Sequence, residues 1–211
     1  RRALPRRYRH LTRMASGQHD TRHHGGTRLH CADSPWSREM PPSPCESRTK
    51  SATLTDVDLI VSHTNADFDA LASMVAASLL YPTALMSLPG GADRNVRDFL
   101  ALHADVINLV APHDVPVQQV TRLIVVETQH ARRLGRFAAL PGRRGVTVIL
   151  YDHHPVDRPT VEADELFIAA YGANVTLMVE HLRRRRLAIN PLQATLFALG
   201  IYEDTGSLTF T

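Results

Sequence analysis

Several residue types and patterns are scarce in this 211-residue sequence, and each shortage excludes a class of protein. Its two cysteines, Cys31 and Cys45, form no CxxC pair, which excludes a disulfide framework. No apolar run approaches the roughly 18 residues of a membrane-spanning helix. The Arg-rich start lacks the apolar segment of a secretory signal. We therefore expect a reduced, cytoplasmic protein with no membrane association.

Charge is divided unevenly along the chain. Residues 1–55 contain 11 Lys and Arg against 4 Asp and Glu, whereas residues 56–211 contain 13 against 17. The basic character therefore belongs to the first part. The remainder is mildly acidic, as expected if several carboxylates converge on a cation. With 44% hydrophobic residues, the chain has enough apolar side chains for one packed domain.

Residues 1–55 show neither the helical nor the strand period and are rich in Arg, His, Pro and Ser. Such a composition buries too little apolar surface to offset chain entropy, so it predicts a disordered basic tail. Its charge would allow contact with nucleic acid. A zinc site is the weaker alternative, because no standard ligand spacing is present among His23, His24, His30, Cys31 and Cys45.

From Asp56 onward, short apolar runs alternate with stretches at helical spacing. This alternation predicts an α/β fold with a mostly parallel sheet and helices on both faces. The predicted strands are 57–61, 84–88, 106–110, 123–126, 146–150 and 166–170. The predicted helices are 69–80, 92–103, a stretch after His130, 177–186, and one that begins at Asn190-Pro191.

Acids and histidines follow several of the predicted strands directly. Ligands in open α/β sheets collect at the carboxyl ends of the strands, so these side chains are expected to meet. They are His63, Asp67, Asp69, Glu127, Asp152, His153 and His154, with Asp204 arriving from a helix end. A helix cap is the alternative for Asp67 or Asp69, but one cap would explain only one acid.

So many like charges would be strongly unfavourable in a low-dielectric cleft without a cation. Imidazole combined with carboxylate suits Mn, Fe, Co or Zn better than Ca. A pair of divalent ions would relieve the repulsion. Such a pair suits hydrolysis of phosphate esters or anhydrides, so the residues predict a two-metal phosphoesterase.

Four segments resemble, in order, the motifs of the DHH phosphoesterase superfamily. They are SHTNADFDA from Ser62, VVET from Val125, YDHHP from Tyr151 and GIYEDTGSLTF from Gly200. The resemblance covers about residues 57–211. The run LIVSHTNADFDALASMVAASLLYP, followed by PGGADRNVRDFL, is similar to the first module of bacterial proteins that join DHH, CBS and tRNA nucleotidyltransferase (polyA polymerase-like) regions on one chain.

The resemblance implies two divalent ions, usually Mn²⁺, with Mg²⁺ or Co²⁺ as alternatives. Glu127 would bridge the two ions. The other ligands would divide between them, with one ion held by His63 and Asp67 and the second by Asp69, His153 and Asp204.

The resemblance also implies residues that act on the substrate, a nucleotide or a short nucleic acid. His154 would face the substrate phosphate, and Asp152 would orient an imidazole from behind. Arg97, Asn174 and Thr176 are candidates for substrate contacts. For Arg97, a solvated helix face is the alternative.

Two departures from the family pattern bear on activity. The family usually has Asp where this chain has Glu127, and the extra methylene moves the carboxylate by roughly 1.5 Å. A displacement of that size can abolish catalysis. Second, the family usually has a DHHA1 domain after the fourth motif that contributes substrate contacts, and we expect residues 56–211 to act without it. We therefore expect residues 56–211 to be a truncated DHH domain.

Two other functions stay open. One is a regulatory or RNA-binding DHH module of a tRNA nucleotidyltransferase or polynucleotide adenylyltransferase, with weak or no hydrolase activity and with tRNA bound through C-terminal regions. The other is a plain α/β binding domain whose acids are caps and surface charges. The Arg183–Arg186 run is explained by a helix dipole, with RNA contact as the alternative.

Overall fold

The computed structural model describes residues 56–156 and 159–210, so the predicted tail at 1–55 lies outside the described residues. Within them, five strands form one sheet: Val57–Val61 (β1), Leu85–Met86 (β2), Val120–Val126 (β3), Thr147–Asp152 (β4) and Glu165–Ile168 (β5). All neighbouring pairs are parallel, in the order β2-β1-β3-β4-β5. The predicted fold class, α/β with a parallel sheet flanked by helices, is confirmed.

Four α-helices occur in the same part of the chain: Phe68–Leu80 (α1), Arg94–Leu102 (α2), Asn174–Arg184 (α3) and Pro191–Asp204 (α4). α4 begins as the cap-then-proline pattern predicts. Asn190 and Gln193 exchange side-chain and backbone hydrogen bonds in a capping box, and Pro191 occupies the first turn. Short 3₁₀ helices cover Pro112–Asp114, Val117–Gln119, Ala131–Phe137 and Leu140–Gly142.

The sheet separates two apolar layers because successive strand residues point to opposite faces. One face packs against α1 and α3, with Ile60, Ile124 and Ile149 buried in this layer, and α4 packs on both helices. The opposite face packs against the 3₁₀ segments, where Leu134 and Phe137 are fully buried. The second face is therefore covered by short 3₁₀ helices and loops, and not by the α-helix predicted after His130.

One predicted strand is wrong. Residues 106–110 make only one bridge to the sheet, between Met86 and Leu109, and the Val106 side chain is 54% exposed. The neighbouring strand β2 is only two residues long and lies at the edge of the sheet, so it offers few backbone partners for a further strand.

Close contact between α1 and α4 depends on small residues. A Cβ at Gly200 of α4 would lie 3.0 Å from the Cα of Asp69 and 3.1 Å from the carbonyl oxygen of Phe68. Ala72 lies at the same crossing. The absence of a side chain at Gly200 therefore sets the distance between the two helices.

Among the described residues, no helix combines the length and the apolar character needed for a membrane span.

Candidate metal centre

The loop after β1 brings an imidazole and a carboxylate together. Asp67 is the N-cap of α1, and its Oδ1 accepts the backbone N–H of Ala70 at 2.9 Å. Its Oδ2 lies 3.8 Å from Nε2 of His63, a side chain that is only 2% exposed. Nδ1 of His63 lies 2.8 Å from the carbonyl oxygen of Thr64, so a proton on Nδ1 leaves Nε2 free to face the carboxylates.

Asp69 is fully buried and caps a helix that lies 105 residues further along the chain. Its Oδ2 accepts the N–H of Asn174 at 2.7 Å, and its Oδ1 accepts the N–H of Val175 at 2.8 Å. These donors belong to the first turn of α3, whose dipole also favours an anion. The carboxylate is therefore fixed in orientation, and its Oδ2 lies 4.0 Å from Nε2 of His153.

Glu127 follows β3 and occupies the centre of the cluster. It is 3% exposed and has a φ of +62°, in the left-handed region that side chains other than glycine rarely adopt. Its N–H donates to the carbonyl of Tyr151, which ties the β3 and β4 ends together. Its Oε2 contacts Nε2 of His63, and its Oε1 lies 3.9 Å from Nδ1 of His154.

The end of β4 contributes three consecutive polar residues. Oδ1 of the buried Asp152 accepts the backbone N–H of His154 at 2.9 Å and lies 2.8 Å from its Nδ1. This pair orients the half-exposed His154 ring. His153 instead presents Nδ1 to the carbonyl of Tyr171 at 3.0 Å, which directs its Nε2 toward Asp204 at 3.2 Å.

Asp204 is the last residue of α4, and a neighbouring acid helps to position it. Glu203 accepts the N–H of Phe68 through Oε2 at 2.5 Å, so the end of α4 is fastened to the first turn of α1. The burial of Glu203 raises its carboxyl pKa. The close crossing at Gly200 and this hydrogen bond together position Asp204 at the strand ends.

The predicted ligands form two groups that share one residue. His63, Asp67 and Glu127 place one ligand atom each within 4.8 Å of one another, as do Asp69, Glu127, His153 and Asp204. A third overlapping group contains Glu127, His153 and His154. Two groups of imidazole and carboxylate joined by one carboxylate are suited to two divalent ions.

Unpartnered atoms support the fit to metal ions. Among the described side chains, four site atoms are buried without a hydrogen bond of ordinary geometry: His63 Nε2, Glu127 Oε2, Asp152 Oδ2 and His153 Nε2. Buried polar atoms normally have a partner. Three of these atoms belong to the two ligand groups, where they face other ligand atoms without forming an ordinary hydrogen bond, and a bound cation would coordinate them.

Protonation in the absence of ions follows the same geometry. Burial raises the pKa of Glu127 and raises the pKa of Asp69 well above its usual range. Burial lowers the pKa of His63 and His153, but contacts with acids outweigh it. Glu127 raises the pKa of His63, and Asp204 contributes to a pKa of about 9 for His153. The cluster therefore holds protons that bound cations would displace.

The predicted substrate residues lie near the starts of α3 and α2, and their contact with a substrate stays a prediction. Asn174 is fully buried, and its Nδ2 donates to Oγ of Ser73 at 3.0 Å. Asn174 is thus a structural residue at the start of α3. Thr176 lies two residues along the same helix. The exposed Arg97 bonds back to the carbonyl of Ala92 at the start of its own helix, as expected for a solvated helix face.

Sequence reasoning missed Gln129. This side chain is 4% exposed, and its Nε2 donates to the carbonyl oxygen of His154 at 3.1 Å. The backbone carbonyl oxygen of Gln129 accepts the N–H groups of Thr160 and Val161. Gln129 therefore joins the loop after β3 to the loop that bears His154. The available signal was its position two residues after Glu127, on the same strand end.

Comparison with known proteins agrees with these features. The model for the family described as "DHH family, N-terminal domain" matches residues 59–201. An A-adding tRNA nucleotidyltransferase from Geobacter sulfurreducens is 42% identical over 155 residues, which are 73% of this chain and 18% of that protein. An A-adding tRNA nucleotidyltransferase from Aquifex aeolicus is 32% identical over 152 residues, or 72% of this chain and 17% of that protein.

A solved structure supports the fold independently. The crystal structure of an exopolyphosphatase-related protein from Bacteroides fragilis superposes with a TM-score of 0.61 at 17% sequence identity. The match covers 74% of this chain and 48% of that chain. This chain thus spans less than one fifth of the two nucleotidyltransferases and about half of the structural relative.

Proposed function

Because the chain belongs to the DHH family, we propose that residues 56–211 form a divalent-metal-dependent phosphoesterase domain acting on nucleotides or short nucleic acids. The observation that carries the proposal is the pair of ligand groups joined by Glu127, with buried imidazole and carboxylate atoms that form no hydrogen bond of ordinary geometry. His63, Asp67, Glu127, Asp69, His153 and Asp204 would hold the ions, Mn²⁺ being the first choice. Bound there, the ions supply Lewis acidity for the hydrolysis of a phosphate ester.

Beside those ligands, His154 would donate a proton, and Asp152 would support the protonated form of its imidazole. Asp152 raises the pKa of His154 through a hydrogen bond at Nδ1, which favours the imidazolium form with a second proton on Nε2. The His154 side chain is 48% exposed, whereas the ligand histidines are nearly buried. His154 can therefore reach a substrate oxygen and donate a hydrogen bond or a proton to it.

Hydrolysis of bis(4-nitrophenyl) phosphate and of a short single-stranded RNA tests this function. We expect activity with Mn²⁺, none after chelation, and a loss of at least 100-fold in His153→Ala. The exposed His113, which is 79% accessible, provides the matched control His113→Ala. Equal hydrolysis by the metal-loaded and metal-free protein would refute the proposal.

The nucleotidyltransferase relatives favour a second candidate: a regulatory or RNA-binding module of a tRNA nucleotidyltransferase with weak or no hydrolase activity. The two candidates differ in whether the Mn²⁺-loaded protein hydrolyses a phosphate ester. A module of this kind would bind Mn²⁺ without hydrolysing either substrate. Its gene would also encode a nucleotidyltransferase region after residue 211, and partnership with tRNA would belong to that region.

A further inference from the structure

An arginine-bearing segment borders the metal ligands on one side. The 3₁₀ helix Ala131–Phe137 begins four residues after Glu127 and contains Arg132, Arg133 and Arg136. Of these, Arg133 is fastened directly to the ligand loop, because its carbonyl oxygen accepts the N–H of Thr64 at 2.8 Å. Thr64 is the residue next to His63, so the two loops cannot move independently.

Packing on the other side of the segment fixes Arg133 further. Gly135 has a φ of +52°, and a Cβ at this position would lie 2.7 Å from the carbonyl oxygen of Pro89. Leu134 and Phe137 are fully buried in the layer beneath the sheet. The backbone of Arg133 is therefore held in one place, and its partly buried side chain extends from a rigid base.

Arg133 is close to the site but has no acidic partner of its own. Within the described ranges, its guanidinium makes no ion pair and no hydrogen bond. Its positive charge nevertheless opposes protonation of His63 and so lowers the pKa of that imidazole, against the larger effect of Glu127. Arg132 is exposed, and the guanidinium of Arg136 lies 5.9 Å from the Phe137 ring centroid, so neither has the same position.

The charge balance indicates what Arg133 would bind. Asp67, Asp69, Glu127 and Asp204 together carry four negative charges, which two divalent ions would neutralise. Asp152 pairs with His154, and Glu203 accepts the N–H of Phe68. No described carboxylate forms an ion pair with the guanidinium of Arg133, which therefore adds an unpaired positive charge. An anion at the ions would satisfy it, and a guanidinium matches the oxygens of a phosphate group in charge and geometry.

We propose that Arg133 binds a non-bridging oxygen of the substrate phosphate at the metal centre and so determines the affinity of the site for phosphate groups. This inference rests on the proposed function and adds a substrate-binding residue to it. The corresponding side chain at Arg132, on the same segment and of the same charge, has no such role.

Binding of inorganic phosphate to the Mn²⁺-loaded protein tests the proposal without any turnover. Manganese broadens the ³¹P resonance of a phosphate that lies close to it, and a titration of that broadening yields the dissociation constant. The wild-type chain, Arg133→Gln, Arg133→Lys and the control Arg132→Gln are compared. Free Mn²⁺ is measured in parallel by electron paramagnetic resonance, and folding is checked by circular dichroism.

We expect Arg133→Gln to weaken phosphate binding by about tenfold to 100-fold, the loss of one charge-assisted contact. Its Mn²⁺ affinity should be unchanged or slightly higher. Arg133→Lys should recover part of the loss, because lysine keeps the charge without the planar fork. Arg132→Gln should bind phosphate as the wild type does.

Several results would contradict the proposal. Equal phosphate affinity for the wild type and Arg133→Gln, or equal losses in Arg133→Gln and Arg132→Gln, would overturn it. Failure of the loaded wild type to bind phosphate would overturn it as well, and failure to bind Mn²⁺ would overturn the proposed function too. Arg133-dependent phosphate binding without hydrolysis would refute the phosphoesterase function alone.

Discussion

At the residue scale, Glu127 lies at the centre of the metal site in a backbone conformation that is energetically unfavourable. A left-handed backbone costs a side-chain-bearing residue about 1–2 kcal/mol, and Asp or Asn tolerates it better than Glu does. Glu127 nevertheless adopts a φ of +62° while its two carboxylate oxygens approach different imidazoles. The longer side chain thus reaches both ligand groups from a strained backbone.

The charge of this one residue is expected to control metal binding. Glu127→Gln keeps the size but removes the carboxylate that both ligand groups share, so Mn²⁺ affinity should fall more than tenfold. Titration monitored by electron paramagnetic resonance gives the affinity and the number of ions bound. The control is Asp98→Asn on the exposed side of α2, 70% accessible. Two ions bound to Glu127→Gln at wild-type affinity would show that Glu127 is not shared.

His181, which belongs to none of the ligand groups, provides a second prediction. It is 4% exposed, its Nδ1 has no partner among the described residues, and its ring meets Tyr151 and Phe167 edge-on. Burial, assisted by Arg184 and Arg185, lowers the pKa of His181 to about 4. The neutral ring is therefore the form that the folded chain accommodates.

The sign of the resulting pH dependence follows from this depressed pKa. Stability from neutral His181 is fully present above the unfolded pKa of about 6.5 and is lost as pH falls toward 4. The loss amounts to about 2 kcal/mol at pH 5. Urea denaturation between pH 7 and 5 should therefore show a smaller decrease for His181→Leu than for the wild type. The exposed-site variant His113→Gln should retain the wild-type slope.

At the scale of elements, the metal centre is built from helix ends as much as from strand ends. Asp67 caps α1, Asp69 caps α3, and Asp204 ends α4. The two explanations, helix cap and metal ligand, are therefore compatible, because Asp67 and Asp69 each cap a helix and still face an imidazole. Spacing between these helices then controls the spacing between ligands.

Gly200 tests this dependence. In Gly200→Val, the new side chain would meet the backbone of α1 at Asp69, where a Cβ is already only 3.0 Å away. We expect a loss of about 1–3 kcal/mol in the free energy of unfolding, typical of overpacking. Mn²⁺ binding should also weaken, because α4 carries Asp204. Ala198→Val, on the exposed side of α4, controls for the branched side chain and should leave Mn²⁺ affinity unchanged.

Sequence reasoning was most successful where local patterns decide the structure. Short apolar runs identified β1, β3, β4 and β5, and Asn190-Pro191 identified the start of α4. It failed at 106–110, because an apolar run becomes a strand only if a neighbouring strand has free partners. It also failed after His130, where Gly135 requires a positive φ and interrupts an α-helix.

Long-range contacts of the site were beyond what spacing can indicate. The structure places the eight predicted acids and histidines at one end of the sheet, as strand-end reasoning implies. The bond from Asp69 to the first turn of α3 joins residues 105 positions apart, and that from Gln129 to His154 depends on two separate loops. Neither pairing has a local signature, since each depends on tertiary packing.

At the scale of the whole molecule, the gathered carboxylates predict a response to metal ions. A ligand that binds only the folded state raises the free energy of unfolding. At a ligand concentration 100 times the dissociation constant, the increase is about 2.7 kcal/mol. We expect the melting temperature to rise with Mn²⁺ concentration and to return to the metal-free value with a chelator. Ca²⁺ should act more weakly, because imidazole ligands disfavour it. An unchanged melting temperature would support the plain binding domain.

The parallel order of the strands has a consequence for the timing of assembly. β1 and β3 are neighbours although about 60 residues separate them, and the last ligand arrives only with the end of α4. Folding of such a topology is slow, because the chain loses loop-closure entropy before the contacts between distant segments form. We expect cations to bind only after the rate-limiting step, because the site needs ligands from both ends of the described chain. They would prolong the lifetime of the native chain without hastening its formation.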